Sequence, residues 1–152
     1  MPEIFISKSE RETEKIAFDL AKDNKIRYKD VVALYGDLGA GKTAFTRGLV
    51  NFFSPGSRVA SPTFALVNEY KPKSENNKKI LHFDMYRINS EEDLLSVGFF
   101  DCLGEPRENI MIIEWFDKIA GFFDENTVNI NIEKLSGDNK DERKIIFERP
   151  GD

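Results

Sequence analysis

A glycine-rich segment separates a short apolar run from a stretch of helical periodicity. The segment reads Gly36-Asp37-Leu38-Gly39-Ala40-Gly41-Lys42-Thr43 and fits the pattern G-x-x-x-x-G-K-T. The apolar run at residues 31–35 predicts a buried strand, and residues 44–53 carry apolar side chains at helical intervals. Strand, glycine-rich turn and helix in this order are typical of a phosphate-binding loop in an α/β domain.

The chemistry of such a loop assigns roles to single residues. Gly36, Gly39 and Gly41 can take backbone angles closed to other residues, so phosphate oxygens can approach the main-chain N–H groups. The positive end of the following helix dipole adds to these donors, which places a β-phosphate at the helix N-terminus. Lys42 would then reach the β- and γ-phosphates, and the hydroxyl of Thr43 could become one ligand of a magnesium ion.

Length, charge and cysteine content restrict the class of protein further. A chain of 152 residues predicts a single domain over residues 1–152. Its 22 basic and 27 acidic residues give a net charge of −5, which argues against a broad basic face for nucleic acid. The single cysteine, Cys102, excludes an internal disulfide, and no apolar run is long enough to cross a membrane. We therefore expect a soluble cytoplasmic protein.

Two apolar runs downstream of the loop each end in a carboxylate. Residues 80–84 end at Asp84, and residues 110–114 end at Glu114, which Trp115 follows. A phosphate-loop enzyme needs an acid at a strand end that faces its magnesium ion, so both residues are candidates. The alternative is that either acid is a surface residue that caps the next helix.

The remaining segments complete an α/β pattern. Residues 4–6 predict a strand, and the capping box at residues 9–12 opens a helix that should end near Asn24 and turn one apolar face inward. Residues 61–67 predict an extended segment, residues 71–79 a surface loop, and residues 127–132 and 144–147 a strand pair. The sequence thus predicts a three-layer phosphate-loop domain, with a mostly parallel twisted sheet, helices on both faces and an antiparallel C-terminal hairpin.

With these segments in place, the chain resembles the TsaE family, small bacterial ATPases needed to make threonylcarbamoyladenosine in transfer RNA. The resemblance covers roughly Phe5 to Phe147. It rests on residues 34–43, Ser61-Pro62-Thr63-Phe64, His82-Phe83-Asp84-Met85-Tyr86-Arg87, Glu92-Asp93-Leu94 with Gly98, and Glu114-Trp115. It implies an ATPase that uses ATP and Mg²⁺, has TsaD and TsaB as partners, and meets transfer RNA only through the complex.

The resemblance also implies site residues. Thr43 and Glu114 would bind magnesium, and Asp84 would lie beside the γ-phosphate, so that Lys42, Asp84 and Glu114 form the catalytic set. Residues implied to contact the nucleotide are Thr13, Gly36, Asp37, Leu38, Gly39, Ala40, Gly41, Lys42, Thr43, Ala44 and Trp115. Ser61 and Thr63 fall in a segment that would act as a nucleotide-sensing switch.

Hydrolysis by the chain alone is expected to be slow, because no arginine can be placed beside the γ-phosphate from the sequence. Arg47, Arg58 and Arg87 are candidates without geometry, and an arginine finger typically accelerates phosphoryl transfer about 10³- to 10⁵-fold. His82, the only histidine, is expected to be a packed or partner-facing residue and not a general base.

Three alternatives share the phosphate loop. A GTPase is suggested by Asp101-Cys102-Leu103-Gly104 and by Asn139-Lys140-Asp141-Glu142, but glutamate stands where the guanine-binding aspartate belongs. A small-molecule kinase would need a lid and an acceptor pocket, for which the chain has little room. The third alternative is a non-catalytic assembly factor, in which ATP binding holds one conformation.

Overall fold

The computed structural model describes residues 2–37, 39–59, 67–72, 78–85, 90–96, 108–115 and 127–150. The predicted loop residue Leu38, the switch residues Ser61 and Thr63, and the D-x-x-G segment at residues 101–104 lie outside these ranges. Arg87 and Cys102 also lie outside them.

Seven strands and three helices are described, in an α/β order. The elements are β1 Glu3–Ser7, α1 Glu10–Lys22, β2 Val31–Tyr35, α2 Lys42–Phe53, β3 Val67–Tyr70, β4 Ile80–Asp84, α3 Glu91–Ser96, β5 Ile110–Glu114, β6 Val128–Lys134 and β7 Arg143–Glu148. The strands predicted at residues 31–35, 80–84 and 110–114 are confirmed without a shift of either end. The helix after the loop begins at Lys42, two residues before the apolar periodicity starts. Strand β3 begins at the last residue of the extended segment predicted at 61–67, whose other residues lie outside the described ranges, and it continues to Tyr70.

The seven strands form one sheet in the order β1-β7-β6-β2-β5-β4-β3. The four central strands run parallel, and the pairs β1–β7, β6–β7 and β3–β4 run antiparallel. The predicted C-terminal hairpin, β6–β7, is confirmed. Because parallel strands end at the same edge of a sheet, the carboxyl ends of β2, β4 and β5 lie side by side there.

The capping box at the start of α1 is confirmed with a different second contact. Ser9 Oγ accepts a hydrogen bond from the backbone N–H of Glu12 at 3.1 Å, while the Glu12 carboxylate accepts from Lys8 N and not from Ser9 N. The helix ends at Lys22, slightly before the predicted Asn24. Asn24 has a φ of 62°, a left-handed conformation that stops the helix.

Helices α1 and α2 pack against each other and against the same apolar cluster of the sheet. The buried side of α1 includes Ala17 and Leu20, and that of α2 includes Phe45 and Leu49. Gly48 lies at the crossing, where a Cβ atom would overlap the carbonyl oxygen of Glu14 on α1. The backbones of the two helices therefore approach more closely than any larger residue at this position would permit.

No helix within the described ranges has both the length and the apolar content that a membrane crossing requires. All the described strands belong to one sheet. The assignment of residues 1–152 to a single domain stays a prediction.

Candidate functional site

The glycine-rich loop leaves the end of β2 and leads directly into α2. The loop backbone at Gly36 lies so close to β6 that only glycine fits, because a Cβ atom there would lie 2.7 Å from the carbonyl oxygen of Ile132. Ala40 N donates to Asp37 O at 2.9 Å, which closes a turn within the loop. Gly41 is the N-cap of α2, with a φ of 117°, and no side chain caps this helix end. Its first N–H groups therefore suit an anionic ligand.

Lys42 is buried at the centre of the site, with only 6% of its surface exposed. Its Nζ atom donates to the carbonyl oxygen of Gly36 at 2.7 Å and lies 3.9 Å from Glu114 Oε1. The same atom lies 4.5 Å from the centroid of the Trp115 ring, a cation–π distance. A lysine ammonium has three N–H donors, so the bond to Gly36 leaves two for phosphate oxygens.

The two candidate acids lie next to each other at the ends of parallel strands. Asp84 of β4 is in register with Glu114 of β5. Glu114 is 5% exposed, whereas Asp84 is partly buried. Burial beside a lysine excludes the alternative that Glu114 is a surface residue that caps a helix.

Trp115 follows Glu114 in a left-handed backbone conformation, with a φ of 62°. Such a conformation costs a bulky residue on the order of 1 kcal/mol or more, so the surrounding contacts must maintain it. The conformation coincides with the position of the indole beside the Lys42 ammonium. The ring is thus part of the site and not an ordinary core aromatic residue.

The donor atoms at the loop fit a magnesium ion better than a metal held by the protein alone. Within the described ranges, no group of three or more His, Cys, Asp or Glu residues could hold a metal. Magnesium usually keeps several waters and takes one or two carboxylates together with substrate phosphates. The residues here include one strand-end carboxylate, Glu114, and one hydroxyl, that of Thr43 at the second position of α2, which are donor types that such a site uses.

Two cavities adjoin the loop. The first, of about 350 Å³, is lined by Asp37, Lys42 and Trp115 and by the end of β6 at residues 131–134. The second, of about 520 Å³, lies between the loop, the start of α1 and the β6–β7 turn. Thr13 and Ala44 line this second cavity.

The second cavity also contains a residue of the sequence segment considered as a guanine-binding motif. Asp141 of Asn139-Lys140-Asp141-Glu142 lines it, together with Ser9, Arg11 and Thr13 of the α1 start. Thr13 is buried, and its hydroxyl lies 2.7 Å from Ser7 Oγ. The cavity therefore offers polar groups of both charge signs beside the loop.

Arg143, at the start of β7, was not identified from the sequence, yet it contacts the loop backbone directly. Its Nε atom donates to Ala40 O at 2.7 Å, and Nη2 donates to Gly39 O at 3.4 Å. In a planar trans peptide the carbonyl and the following N–H point in opposite directions. By holding the Ala40 carbonyl, Arg143 therefore turns the Gly41 N–H away from itself and fixes its direction. The sequence places Arg143 directly before the strand predicted at residues 144–147, and this pattern gives no sign of a contact with the loop.

We predict that Arg143→Ala weakens nucleotide binding about tenfold, because the two loop peptides lose a charge-assisted hydrogen-bond partner. Arg143→Lys should recover only part of the affinity, since an ammonium cannot reproduce the fork of donors. Equilibrium titration with a fluorescent ATP analogue measures the effect, and Arg27→Ala, at an exposed arginine, is the matched control. An unchanged dissociation constant for Arg143→Ala would show that the loop holds its shape unaided.

Parallel strands that lead through a glycine-rich loop into a helix, with a buried lysine and a strand-end carboxylate facing each other, define an α/β domain of the phosphate-loop class. The chain belongs to the TsaE family: the model for "Threonylcarbamoyl adenosine biosynthesis protein TsaE" matches residues 7–145. The resemblance predicted from the sequence motifs is confirmed.

Individual relatives agree with this assignment. The chain is 36% identical over 133 residues to the tRNA threonylcarbamoyladenosine biosynthesis protein TsaE of Rickettsia conorii, covering 87% of this chain and 71% of that protein. It is 40% identical over 103 residues to the TsaE protein of Haemophilus influenzae, covering 68% and 62%, respectively. The crystal structure of Bacillus subtilis YdiB superimposes with a TM-score of 0.72 at 26% identity, over 99% of this chain and 87% of that one. The predicted fold class is therefore confirmed.

The structure brings most of the predicted site residues together but leaves their roles as predictions. Lys42, Glu114 and Trp115 are in mutual contact or close to it, and Asp84 lies on the neighbouring strand end. Thr13 lies across the loop, at the second cavity. His82 is fully buried against Glu114, which supports the expectation of a packed residue and excludes a partner-facing one.

Proposed function

We propose that this protein binds ATP with magnesium, hydrolyses it slowly, and supports the threonylcarbamoylation of transfer RNA adenosine together with TsaD and TsaB. The observation that carries the proposal is the position of Lys42. Its ammonium lies between the loop carbonyl of Gly36 and the Glu114 carboxylate at the edge of the sheet. In phosphate-loop enzymes the lysine contacts the β- and γ-phosphates and a strand-end acid helps to hold magnesium, so a lysine between the loop and Glu114 supports phosphoryl-transfer chemistry. The TsaE names of the relatives supply the biological process.

Nucleotide binding would use the loop and the two cavities that adjoin it. The phosphates would accept from the loop amides and from Lys42, while the nucleoside would lie in the second cavity, beside Thr13. That cavity of about 520 Å³ falls in the size range of small-ligand sites. The first cavity, at Lys42 and Trp115, would adjoin the γ-phosphate.

Magnesium, when bound, would neutralise charge on the β- and γ-phosphate oxygens, with Thr43 and Glu114 as its protein ligands. Asp84, in register with Glu114, would orient the attacking water or a water of the metal shell. Lys42 would hold the γ-phosphate through its two remaining donors. Each of these steps uses a residue at the loop or at the carboxyl end of a central strand.

Slow hydrolysis by the chain alone is supported by the environments of the candidates Arg47 and Arg58 and of Arg143 at the loop. The guanidinium of Arg47 pairs with Glu14 at 2.6 Å, and that of Arg143 holds loop carbonyls. Arg58 is exposed beyond the end of α2. We propose that a partner raises the hydrolysis rate. The net charge of −5 argues against direct contact with transfer RNA. We therefore propose that contact occurs through the TsaD–TsaB complex, in the cytoplasm.

The second candidate is a non-catalytic factor whose nucleotide holds the complex in one conformation. It shares the binding site and differs only in whether hydrolysis occurs. At the second cavity, the Asp141 carboxylate could accept a hydrogen bond from the amino group of adenine or of guanine, so hydrolysis of ATP and GTP is compared directly.

We expect a low rate of magnesium-ATP hydrolysis by the purified chain and a higher rate when TsaD and TsaB are added. Asp84→Ala should lower the stimulated rate about 100-fold or more, because water would no longer be oriented. Phosphate release is measured with ATP and GTP in parallel, with Asp23→Ala, at an exposed acid just after α1, as the matched control. Fast turnover without partners, no response to them, or a preference for GTP would each contradict the proposal.

A further inference from the structure

We propose that His82 is a positioning residue that holds the Glu114 carboxylate in the orientation needed for magnesium. The inference rests on the proposed magnesium-dependent nucleotide binding and adds a residue to that site. His82 and Glu114 belong to adjacent parallel strands, β4 and β5. Both side chains are buried, with 0% and 7% of their surfaces exposed.

The contact between them is a short hydrogen bond. His82 Nε2 lies 2.6 Å from Glu114 Oε2. A carboxylate oxygen can only accept a hydrogen bond, so the N–H at Nε2 donates. His82 Nδ1 has no hydrogen-bond partner in the part of the chain that the structure describes. A proton on a buried Nδ1 without an acceptor would be costly, so the geometry fits an imidazole with its proton on Nε2.

Because of this bond, the two carboxylate oxygens of Glu114 have different neighbours. Oε2 is occupied by His82, whereas Oε1 lies on the side of Lys42, 3.9 Å from Nζ. The separation from Lys42 is longer than a direct hydrogen bond, so the lysine stays committed to the loop carbonyl of Gly36. Oε1 is thereby the oxygen presented to the phosphate loop.

Without the imidazole donor, Oε2 would become a buried acceptor without a partner. The carboxylate would then gain from turning toward the only cation in contact with it among the described residues, the Lys42 ammonium. A direct lysine–glutamate pair would remove the oxygen offered to magnesium and draw Nζ away from the phosphates. His82 therefore acts on the metal through Glu114, as ligand-orienting partners commonly do.

The experiment measures binding and does not depend on turnover. Trp115 is the only tryptophan and lies beside Lys42, so its fluorescence can report ADP binding. ADP is titrated in EDTA and then at increasing Mg²⁺, for the wild type, His82→Phe, His82→Leu and His82→Gln. Phenylalanine supplies an aromatic ring without an N–H donor, and leucine removes the donor without overfilling the core. Glutamine returns an N–H donor near the position of Nε2. Thermal unfolding of each variant is recorded alongside.

In His82→Phe and His82→Leu, we expect the Mg²⁺ concentration for half-maximal effect to rise about 10- to 100-fold, with ADP affinity in EDTA changed less than about twofold. His82→Gln should restore much of the magnesium response. In a Glu114→Ala background, His82→Phe should add no further loss, because the residue that it positions is gone.

A wild-type magnesium response in both donor-free variants would overturn the inference while leaving the proposed function intact. Failure of His82→Gln to recover, or a full extra loss in the Glu114→Ala background, would overturn it as well, since both would show that His82 acts only by packing. If the wild-type chain shows no magnesium-dependent ADP binding, the proposed function itself fails. The two failures are therefore distinguishable.

Discussion

Lys42→Ala is expected to abolish nucleotide binding, or to weaken it by at least about 100-fold. The ammonium is buried beside the loop, with two donors left for phosphate, and charge-assisted hydrogen bonds contribute about 1.5 to 3 kcal/mol each. The substitution also leaves Glu114 without the cation that lies 3.9 Å from it, so a carboxylate would face the phosphates uncompensated. Loss of attraction and gain of repulsion act in the same direction.

Isothermal titration with ATP and magnesium measures this effect directly. The matched control is Lys15→Ala, which removes the same charge from a side chain that is 73% exposed on α1. Lys42→Arg should recover little, because the longer planar guanidinium does not fit a site shaped for a point charge. Wild-type affinity in Lys42→Ala would refute the assignment of the phosphate site.

Gly48→Ala is expected to lower the free energy of unfolding by about 2 kcal/mol. The added methyl group would overlap the Glu14 carbonyl oxygen and lie 2.8 Å from Ala17 Cβ, so the helices must separate. Overpacking of this kind costs about 3 kcal/mol at the upper end of its usual range, and the better helix propensity of alanine returns about 1 kcal/mol. A domain of this size should melt about 4 to 8 °C lower.

Chemical denaturation, read by far-UV circular dichroism, measures the change in unfolding free energy. Asn51→Ala, at an exposed position of the same helix, gains helix propensity without touching α1 and should not destabilise the protein. Equal stability of Gly48→Ala and the wild type would show that the α1–α2 crossing tolerates a wider spacing.

The parts of the fold that the sequence predicts well are those in which local pattern and burial coincide. The strand at residues 110–114 is buried and is apolar up to its last residue, Glu114, so the sequence itself marks its ends. The loop motif and the capping residue Ser9 likewise predict where α2 and α1 begin. Asp84 and Glu114 could be predicted as site residues because parallel strands bring their carboxyl ends together.

The rest of the site depends on contacts between residues far apart in the chain. Arg143 reaches the loop across 103 positions, and His82 meets Glu114 across 32. Periodicity carries no information about such pairs, since they exist only after the strand order is set. The sequence therefore indicates only a packed or partner-facing His82 and does not predict its short hydrogen bond to Glu114.

The strand order has a consequence for the time at which the nucleotide site can form. β1 is joined to the sheet through β7, and the loop carbonyls are held by Arg143 of that same strand. A ribosome adds about 5 to 20 residues per second. The glycine-rich loop is therefore synthesised several seconds before Arg143, which holds the loop carbonyls. During that interval β1 has no β7 strand to pair with, and the second cavity lacks the wall formed by Asp141 and Arg143. Ligand binding during synthesis should therefore appear late and abruptly, when β7 emerges.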